Sequence, residues 1–403
     1  MVRLSTAGSS AEIINDRDNL ITQAKAAATV ASVHAAAVDR DARFPTEALE
    51  EIRQRRLLGI MVPKALGGEG ASFSDIVEIC YTLGQACGST AMIYAMHQVK
   101  MACIVKHTKG SATLEQIVRR IAADQLLLAS STTEGQAGGN VRASEAAVEQ
   151  DGTHIKLERK ATCISYGLQA DGIVTTARRS ANALPSDQVL IVLLKSDYTL
   201  EPVVGWDTLG MRGTCSPGFM LRSSGPVEQI LPGSFADSSA QSMVPYSHIL
   251  WASLWHGIAA GAVARAASQV RAEARKKPGI VPSSATQLAK VGAQLQSVRH
   301  NWQAVAAEFD ALGPSERDKQ ALLGIGWALK LNNLKVGVSE SVVQIVHQAL
   351  QIAGILGYKN DSPVSIGRHY RDVLSAALMI SNERIASKSA SMLLVFKDDQ
   401  SVV

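Results

Sequence analysis

The chain has 403 residues, 46% of them hydrophobic and 19% charged, and a formal net charge of +4 at pH 7. That length predicts two or three domains around a sizeable buried core, and that composition excludes a disordered chain. The small positive balance, with one dense basic run at Arg271, Arg275, Lys276 and Lys277, excludes the concentrated basic face that nucleic-acid binding needs.

The chain reads as helical up to residue 122. Residues 11–38 are Ala-rich, and alanine is the best helix former. Pro45-Thr46-Glu47 opens a helix that runs to Arg56 with apolar residues at helical spacing. A break at Gly67, Gly68 and Gly70 precedes two more helices, near 73–86 and 89–107. The first ten residues hold no apolar core of the kind a signal peptide carries.

The period then changes. Segments 126–130, 146–150, 154–159, 172–177 and 189–194 are short, β-rich and separated by Gly, Asp and Pro turns. They predict a small β-domain over 123–235, a sandwich or barrel. Helical periodicity returns over 245–276, 284–312, 316–352 and 372–396, with breaks at 277–279, 313–314 and 357–363. Four long helices with short connections predict an antiparallel bundle over 236–403. The longest apolar stretch, 249–263, is interrupted by Ser253, His256, Gly257 and Gly261 and is too short to span a bilayer. Cys80, Cys87, Cys103, Cys163 and Cys215 are odd in number and widely spaced. They argue against a disulfide framework or a zinc site and for a cytoplasmic protein.

Five segments carry chemistry. Thr132-Thr133-Glu134-Gly135-Gln136-Ala137-Gly138-Gly139-Asn140 puts hydroxyls on a Gly-rich turn. Lys160-Ala161-Thr162-Cys163-Ile164-Ser165-Tyr166 places a hydroxyl after a strand, and a Gly-Leu-Gln-Ala-Asp run follows. Trp206 to Ser216 holds Arg212 in a Gly-flanked turn. Arg275-Lys276-Lys277-Pro278-Gly279 ends a long helix with a guanidinium suited to phosphate. Gln351-Ile352-Ala353-Gly354-Ile355-Leu356-Gly357-Tyr358 is followed by Arg371-Asp372 and by Ile380-Ser381-Asn382-Glu383-Arg384-Ile385.

Together, over about residues 30–396, these segments resemble the acyl-CoA dehydrogenase family. The late one is similar to that family's Q-x-x-G-G-x-G-Y, R-D and E-G-T-x-Q-I series. The resemblance implies a mainly α fold with a central β-domain: an N-terminal helical domain (1–122), a β-sandwich or barrel (123–235) and a C-terminal four-helix bundle (236–403). It implies an FAD-dependent oxidoreductase acting on the CH–CH group of an acyl thioester, carried by CoA or by an acyl carrier protein. Thr132, Thr133, Ile164 and Ser165 would hold the flavin. Arg275, Gln351 and Gly354 would hold its ADP half from a neighbouring subunit of a homodimer or homotetramer. Cys163 replaces an aromatic residue over the flavin ring, Pro278 replaces Phe, and Ile355 replaces Gly. With the adenine side changed in this way, FMN is the lesser alternative. The electron-transfer partner is left open.

The family's base does not survive. Counting from Arg371-Asp372, it falls on Ile380, and the alternative place on the first bundle helix falls on Ser247, between Tyr246 and His248. Removing a weakly acidic α-proton requires a base. Glu383, about one helical turn after Ile380, and His97, on a helix that borders the family's acyl pocket, are the leading candidates. His248 and Tyr246 follow, and His256 and His369 read as core or surface residues. The missing carboxylate also opens a two-component flavin monooxygenase on the same fold, which needs no thioester base. The histidine such enzymes often carry after R-D falls near Met379. A non-catalytic homologue is the third alternative.

Overall fold

A computed structural model describes residues 7–108, 110–134 and 143–397. Five helices come first: α1 (Ala7–Arg40), α2 (Thr46–Gln54), α3 (Phe73–Ala86), α4 (Gly88–His107) and α5 (Ala112–Asp124). Side chains set several starts. At α3, the Ser72 hydroxyl accepts from the Asp75 N–H, and the Asp75 carboxylate accepts from the Ser72 N–H, a reciprocal capping box. Ser111 caps α5 through the Leu114 N–H.

Seven strands follow among the described residues: β1 (Leu128–Ser131), β2 (Glu149–Asp151), β3 (His154–Ala161), β4 (Gly172–Arg178), β5 (Gln188–Leu194), β6 (Tyr198–Val204) and β7 (Gly218–Pro226). They form a three-stranded sheet, β1-β4-β5, and a four-stranded sheet, β2-β3-β7-β6. β3 alternates exposed and buried residues along its whole length, as a strand covered on one face must. β4 and β5 are buried almost throughout and are rich in Val, Ile and Leu. β6 escapes the pattern reading because it is an edge strand with Pro202 in it and most of its residues exposed.

The C-terminal part holds α6 (Phe235–Ser238), a widened turn leading into α7 (Val244–Lys276), then α8 (Ser283–Asp310), α9 (Glu316–Leu323), α10 (Ile325–Tyr358), α11 (Gly367–Leu378) and α12 (Asn382–Leu393). Two runs read as continuous from the sequence are broken here. Gly324 is extended and separates α9 from α10. Ile380, at φ 54°, separates α11 from α12. The core is continuous across the helical parts because α7 packs on both α3 and α10. At the first crossing the backbones nearly touch: a Cβ on Gly257 would lie 2.4 Å from the Tyr81 carbonyl oxygen, and one on Gly84 2.4 Å from that of Leu254. Among the described residues, no helix is long and apolar enough to cross a membrane.

The β-domain is pinned to the C-terminal helices by the turn before β7. The Met211 N–H donates to Asp372 Oδ1 at 2.7 Å. A Cβ on Gly210 would collide with the Arg371 carbonyl. Arg371 also donates to the Leu209 carbonyl at 3.0 Å and is ion-paired with Asp39 of α1. The Arg-Asp dipeptide is therefore a three-way joint between α1, the β-domain and α11.

Candidate active site

The end of β1, the turn after β3 and the turn before β7 meet in a row of hydroxyls. Ser216 Oγ donates to Ser165 Oγ at 2.8 Å, and Thr214 Oγ1 lies 2.9 Å from Ser216 Oγ. Thr133 Oγ1 is 4.0 Å from Cys163 Sγ, and Thr132 Oγ1 is 3.5 Å from Ser130 Oγ. Thr132, Thr133, Cys163 and Ser165 are all half-buried, so one side of the row is open.

Buried supports fix this row. Tyr166 is held at φ 44°, its N–H reaches the Thr214 and Cys215 carbonyls at 2.8 and 2.9 Å, and its hydroxyl donates to the Leu128 carbonyl at 3.0 Å. Below Thr133, the Glu134 carboxylate meets Arg159 at 3.2 Å, with both side chains buried. Glu134 also accepts from the Ala146 N–H and the Ser144 hydroxyl. Desolvation lowers the Arg159 pKa to about 10, and Glu134 partly offsets it. The rest of the motif, Gly135 to Asn140, lies outside the described residues. Ser216, Thr214 and Tyr166 were overlooked as site residues, although all stand inside motifs the sequence displays.

Ile164 does not belong to the row as a ligand. Its side chain is fully buried, its N–H donates to the Pro217 carbonyl at 3.0 Å, and its carbonyl accepts from Gly167 at 3.2 Å. It has no group left for a cofactor and acts as a support.

His97 is likewise used up. Its Nδ1 accepts from the Leu128 N–H at 3.0 Å, so Nε2 carries the proton and donates to the Leu58 carbonyl at 2.9 Å. The residue is fully buried, and burial pushes its pKa down to about 4. It ties α4 to β1 and has no free lone pair with which to take a proton. Glu383 is exposed on the first turn of α12 and lines a shallow groove of about 450 Å³ with Arg384, Ser387 and Lys388. Its neighbour Ile385 is the residue α12 buries.

Ile380, where the sequence resemblance leads one to expect a carboxylate, is 39% exposed and in the left-handed region. A fully buried lysine lies beneath it: Lys335 Nζ donates to the Ile380 carbonyl and to Asn382 Oδ1, both at 2.6 Å. Desolvation pushes the Lys335 amine down to about 8. His248, near enough to Lys335 to feel its charge, is buried and pushed down to about 4, first by desolvation and then by that charge. Its Nδ1 lies 3.1 Å from the Ser247 hydroxyl. Tyr246 is packed edge-on against Phe73 and Phe309 and is a core residue. His256 is buried as well, with Nε2 3.0 Å from the Leu295 carbonyl and its ring stacked on Tyr81.

Arg275, Gln351 and Gly354 are all exposed, Gly354 at φ 60°, and so are the apolar side chains of Ile280, Val281, Ile355 and Tyr358.

Two family models match the chain: acyl-CoA dehydrogenase, N-terminal domain, over residues 19–123, and acyl-CoA dehydrogenase, C-terminal domain, over residues 238–380. The chain belongs to the acyl-CoA dehydrogenase family. Among its relatives is the 3-sulfinopropanoyl-CoA desulfinase of Paraburkholderia xenovorans, 24% identical over 82% of this chain and 84% of that protein. Solved structures share the fold. KijD3 in complex with FMN and an amino-keto-deoxysugar nucleotide superposes with a TM-score of 0.82 at 20% identity, covering 96% of each chain. The dibenzothiophene monooxygenase TdsC of Paenibacillus sp. A11-2 superposes with a TM-score of 0.77 at 17% identity, covering 95% of this chain and 99% of that one. This acyl-CoA dehydrogenase family member thus combines a half-buried row of hydroxyls with an apolar residue, Ile380, where the sequence resemblance leads one to expect a carboxylate.

Proposed function

We propose that this protein is a flavin-dependent oxidoreductase that oxygenates a small organic substrate, working with reduced flavin supplied by a separate reductase. The observation that carries this reading is Ile380: the base position is apolar, Glu383 lies on an exposed helix face, and both His97 nitrogens are engaged. Oxygenation needs no carboxylate to take an α-proton. The names of two structural neighbours, an FMN complex and a monooxygenase, agree with it.

The donor set suits a flavin. Its ring edge offers carbonyl oxygens and N–H groups, and the half-buried hydroxyls of Thr132, Thr133 and Ser165 present both donor and acceptor capacity on one open row. A flavin bound there would supply the redox chemistry. Ser216 would orient Ser165, and Cys163, smaller than an aromatic ring, would leave room on one face. Arg275, Gln351 and Gly354 would grip the phosphate-bearing end from the neighbouring subunit of a homo-oligomer. Both FAD and FMN fit this account.

A second reading, α,β-dehydrogenation of an acyl thioester, is favoured by one observation. A titratable amine, Lys335, lies under the lost carboxylate's position; burial lowers its pKa to about 8, and in its neutral form it would accept a proton. The name of the CoA-linked relative agrees with it.

An anaerobic titration separates the two. The flavin-loaded protein is mixed with short, medium and branched acyl thioesters without oxygen, and the affinities for oxidised and reduced flavin are measured in parallel. Oxygenation predicts an unbleached flavin and tighter binding of the reduced form. Bleaching by any thioester would overturn it in favour of dehydrogenation.

A further inference from the structure

A cavity of about 600 Å³ lies between α1, the turn before β7, α7 and the start of α11, and none of the hydroxyl row lines it. Its charge is lopsided: Arg40, Arg212, Arg265, Arg368 and Arg371 face one lining carboxylate, Asp39. Four of the arginines have acidic partners. Arg371 is paired with Asp39, and Arg40 with Asp41. Arg212 meets Asp207 at 3.1 Å, and Arg368 lies 3.8 Å from Asp372. Arg265 differs. Among the described residues it has no carboxylate partner, and its one hydrogen bond runs from Nη1 to the Pro363 carbonyl at 3.0 Å.

Two further features converge on the same space. α11 begins in this wall, and no side chain caps its first turn. Its first-turn N–H groups and the positive end of its dipole are therefore left for a ligand. His369, also in the wall, is 2% exposed, yet among the described residues neither ring nitrogen has a hydrogen-bond partner. A buried imidazole left unpaired is costly unless a ligand or water meets it.

We propose that this cavity binds a ligand through a phosphoryl group, gripped by the Arg265 guanidinium and the uncapped start of α11, with His369 completing the contact. A guanidinium fork matches phosphate oxygens in pairs, and a helix N-terminus turns its free N–H groups toward the same anion. Asn360, Ser362 and Ser365, on the loop before α11, add polar groups for the rest of the ligand. The site is independent of the reaction proposed above.

The test is calorimetric titration of the full-length, flavin-loaded protein at low salt with inorganic pyrophosphate and, separately, with ADP. The expected result is saturable binding of at least one probe, weakened about tenfold or more by Arg265→Gln, as loss of a charge-assisted bond implies. Binding should persist in Arg275→Gln, which separates this cavity from the flavin's phosphate grip. Tighter binding of ADP would identify a nucleotide, and equal or tighter binding of pyrophosphate a free polyphosphate. No saturable binding, unchanged binding in Arg265→Gln, or loss of binding in Arg275→Gln would each overturn the assignment. If Arg265→Gln fails to fold by circular dichroism, Arg265→Lys, which keeps the charge and loses the fork, provides the comparison, with weaker binding of both probes expected and unchanged binding overturning the assignment.

Discussion

Lys335 Nζ and the Ile380 carbonyl oxygen are 2.6 Å apart, a bond that joins the interior of α10 to the left-handed residue between α11 and α12. Asn382, held by the same amine, also exchanges hydrogen bonds with Ser339. The geometry of the turn at the lost-base position is thus dictated by a buried cation on another helix. Lys335→Met removes that cation, leaves the Ile380 carbonyl without its donor and leaves Asn382 Oδ1 with only the Ser339 hydroxyl. The expected cost is about 1–3 kcal/mol, read as a lower midpoint in urea and as faster amide exchange across residues 379–382.

Ile380 is β-branched at φ 54°, a conformation that penalises L-residues and β-branched ones most. Ile380→Gly is expected to stabilise the protein by about 1 kcal/mol, because a residue 39% exposed loses few contacts and sheds the left-handed strain. A thermal melt checks it, and a lower midpoint would show that the isoleucine's packing matters more than its backbone strain.

The Glu134–Arg159 pair supports the hydroxyl row from below. Breaking a buried pair by removing one partner leaves an uncompensated charge, so Glu134→Gln should cost about 3–5 kcal/mol. The double variant Glu134→Gln, Arg159→Met should recover much of that loss. Chemical denaturation of the three variants forms a double-mutant cycle, and a strictly additive result would contradict the pairing.

Ser165 and Ser216 act in series, so their removal should graduate flavin binding. Ser165→Ala should weaken it about tenfold, and Ser216→Ala by less, since one hydrogen bond is worth about 1 kcal/mol. Quenching of flavin fluorescence measures both. An unchanged affinity in Ser165→Ala would remove the row from the cofactor site.

Stability should fall in mild acid. Burial pushes His97, His248 and His256 each down to about 4 from the ordinary 6.5. Between those limits the unfolded chain binds protons the native chain excludes, so stability is lost as pH falls, by about 1.4 kcal/mol per unit for each histidine. Asp372 works in the opposite direction: burial raises its carboxyl from 3.8 to about 6, so there the native state binds the extra proton. His369, also buried and pushed well below 6.5, acts with them, and four histidines against one carboxyl leave a net loss below about pH 6.5. Urea midpoints at neutral and mildly acidic pH test this, and a flat profile would contradict it.

Much of the fold could be read from residue pattern, because both helical periodicity and strand alternation are local properties of the chain. The Ala-rich start, the change to short β-rich segments and the return of long amphipathic runs each correspond to elements seen in the structure. That Thr133 and Ser165 would be proposed as flavin contacts was legible too, because each stands in a contiguous motif; the structure shows only that both hydroxyls are half-buried. The roles of His97, Ile164 and Lys335 were not. Whether His97 is a base or a tie depends on the Leu58 and Leu128 backbone groups that reach its two nitrogens, and those residues are far from it in sequence. Lys335 reads as one more lysine on an amphipathic helix until packing seals its amine beneath Ile380. Similarly, the arginines around α11 come from four separate stretches of the chain, and only the docking of α1, the β-domain turn and α7 gathers them. By itself the sequence determined the order of helical, β-rich and helical stretches and that residue 380 carries no carboxylate. Tertiary structure decided which polar groups are spent on one another and which face open space, because burial and pairing depend on neighbours that packing alone brings together.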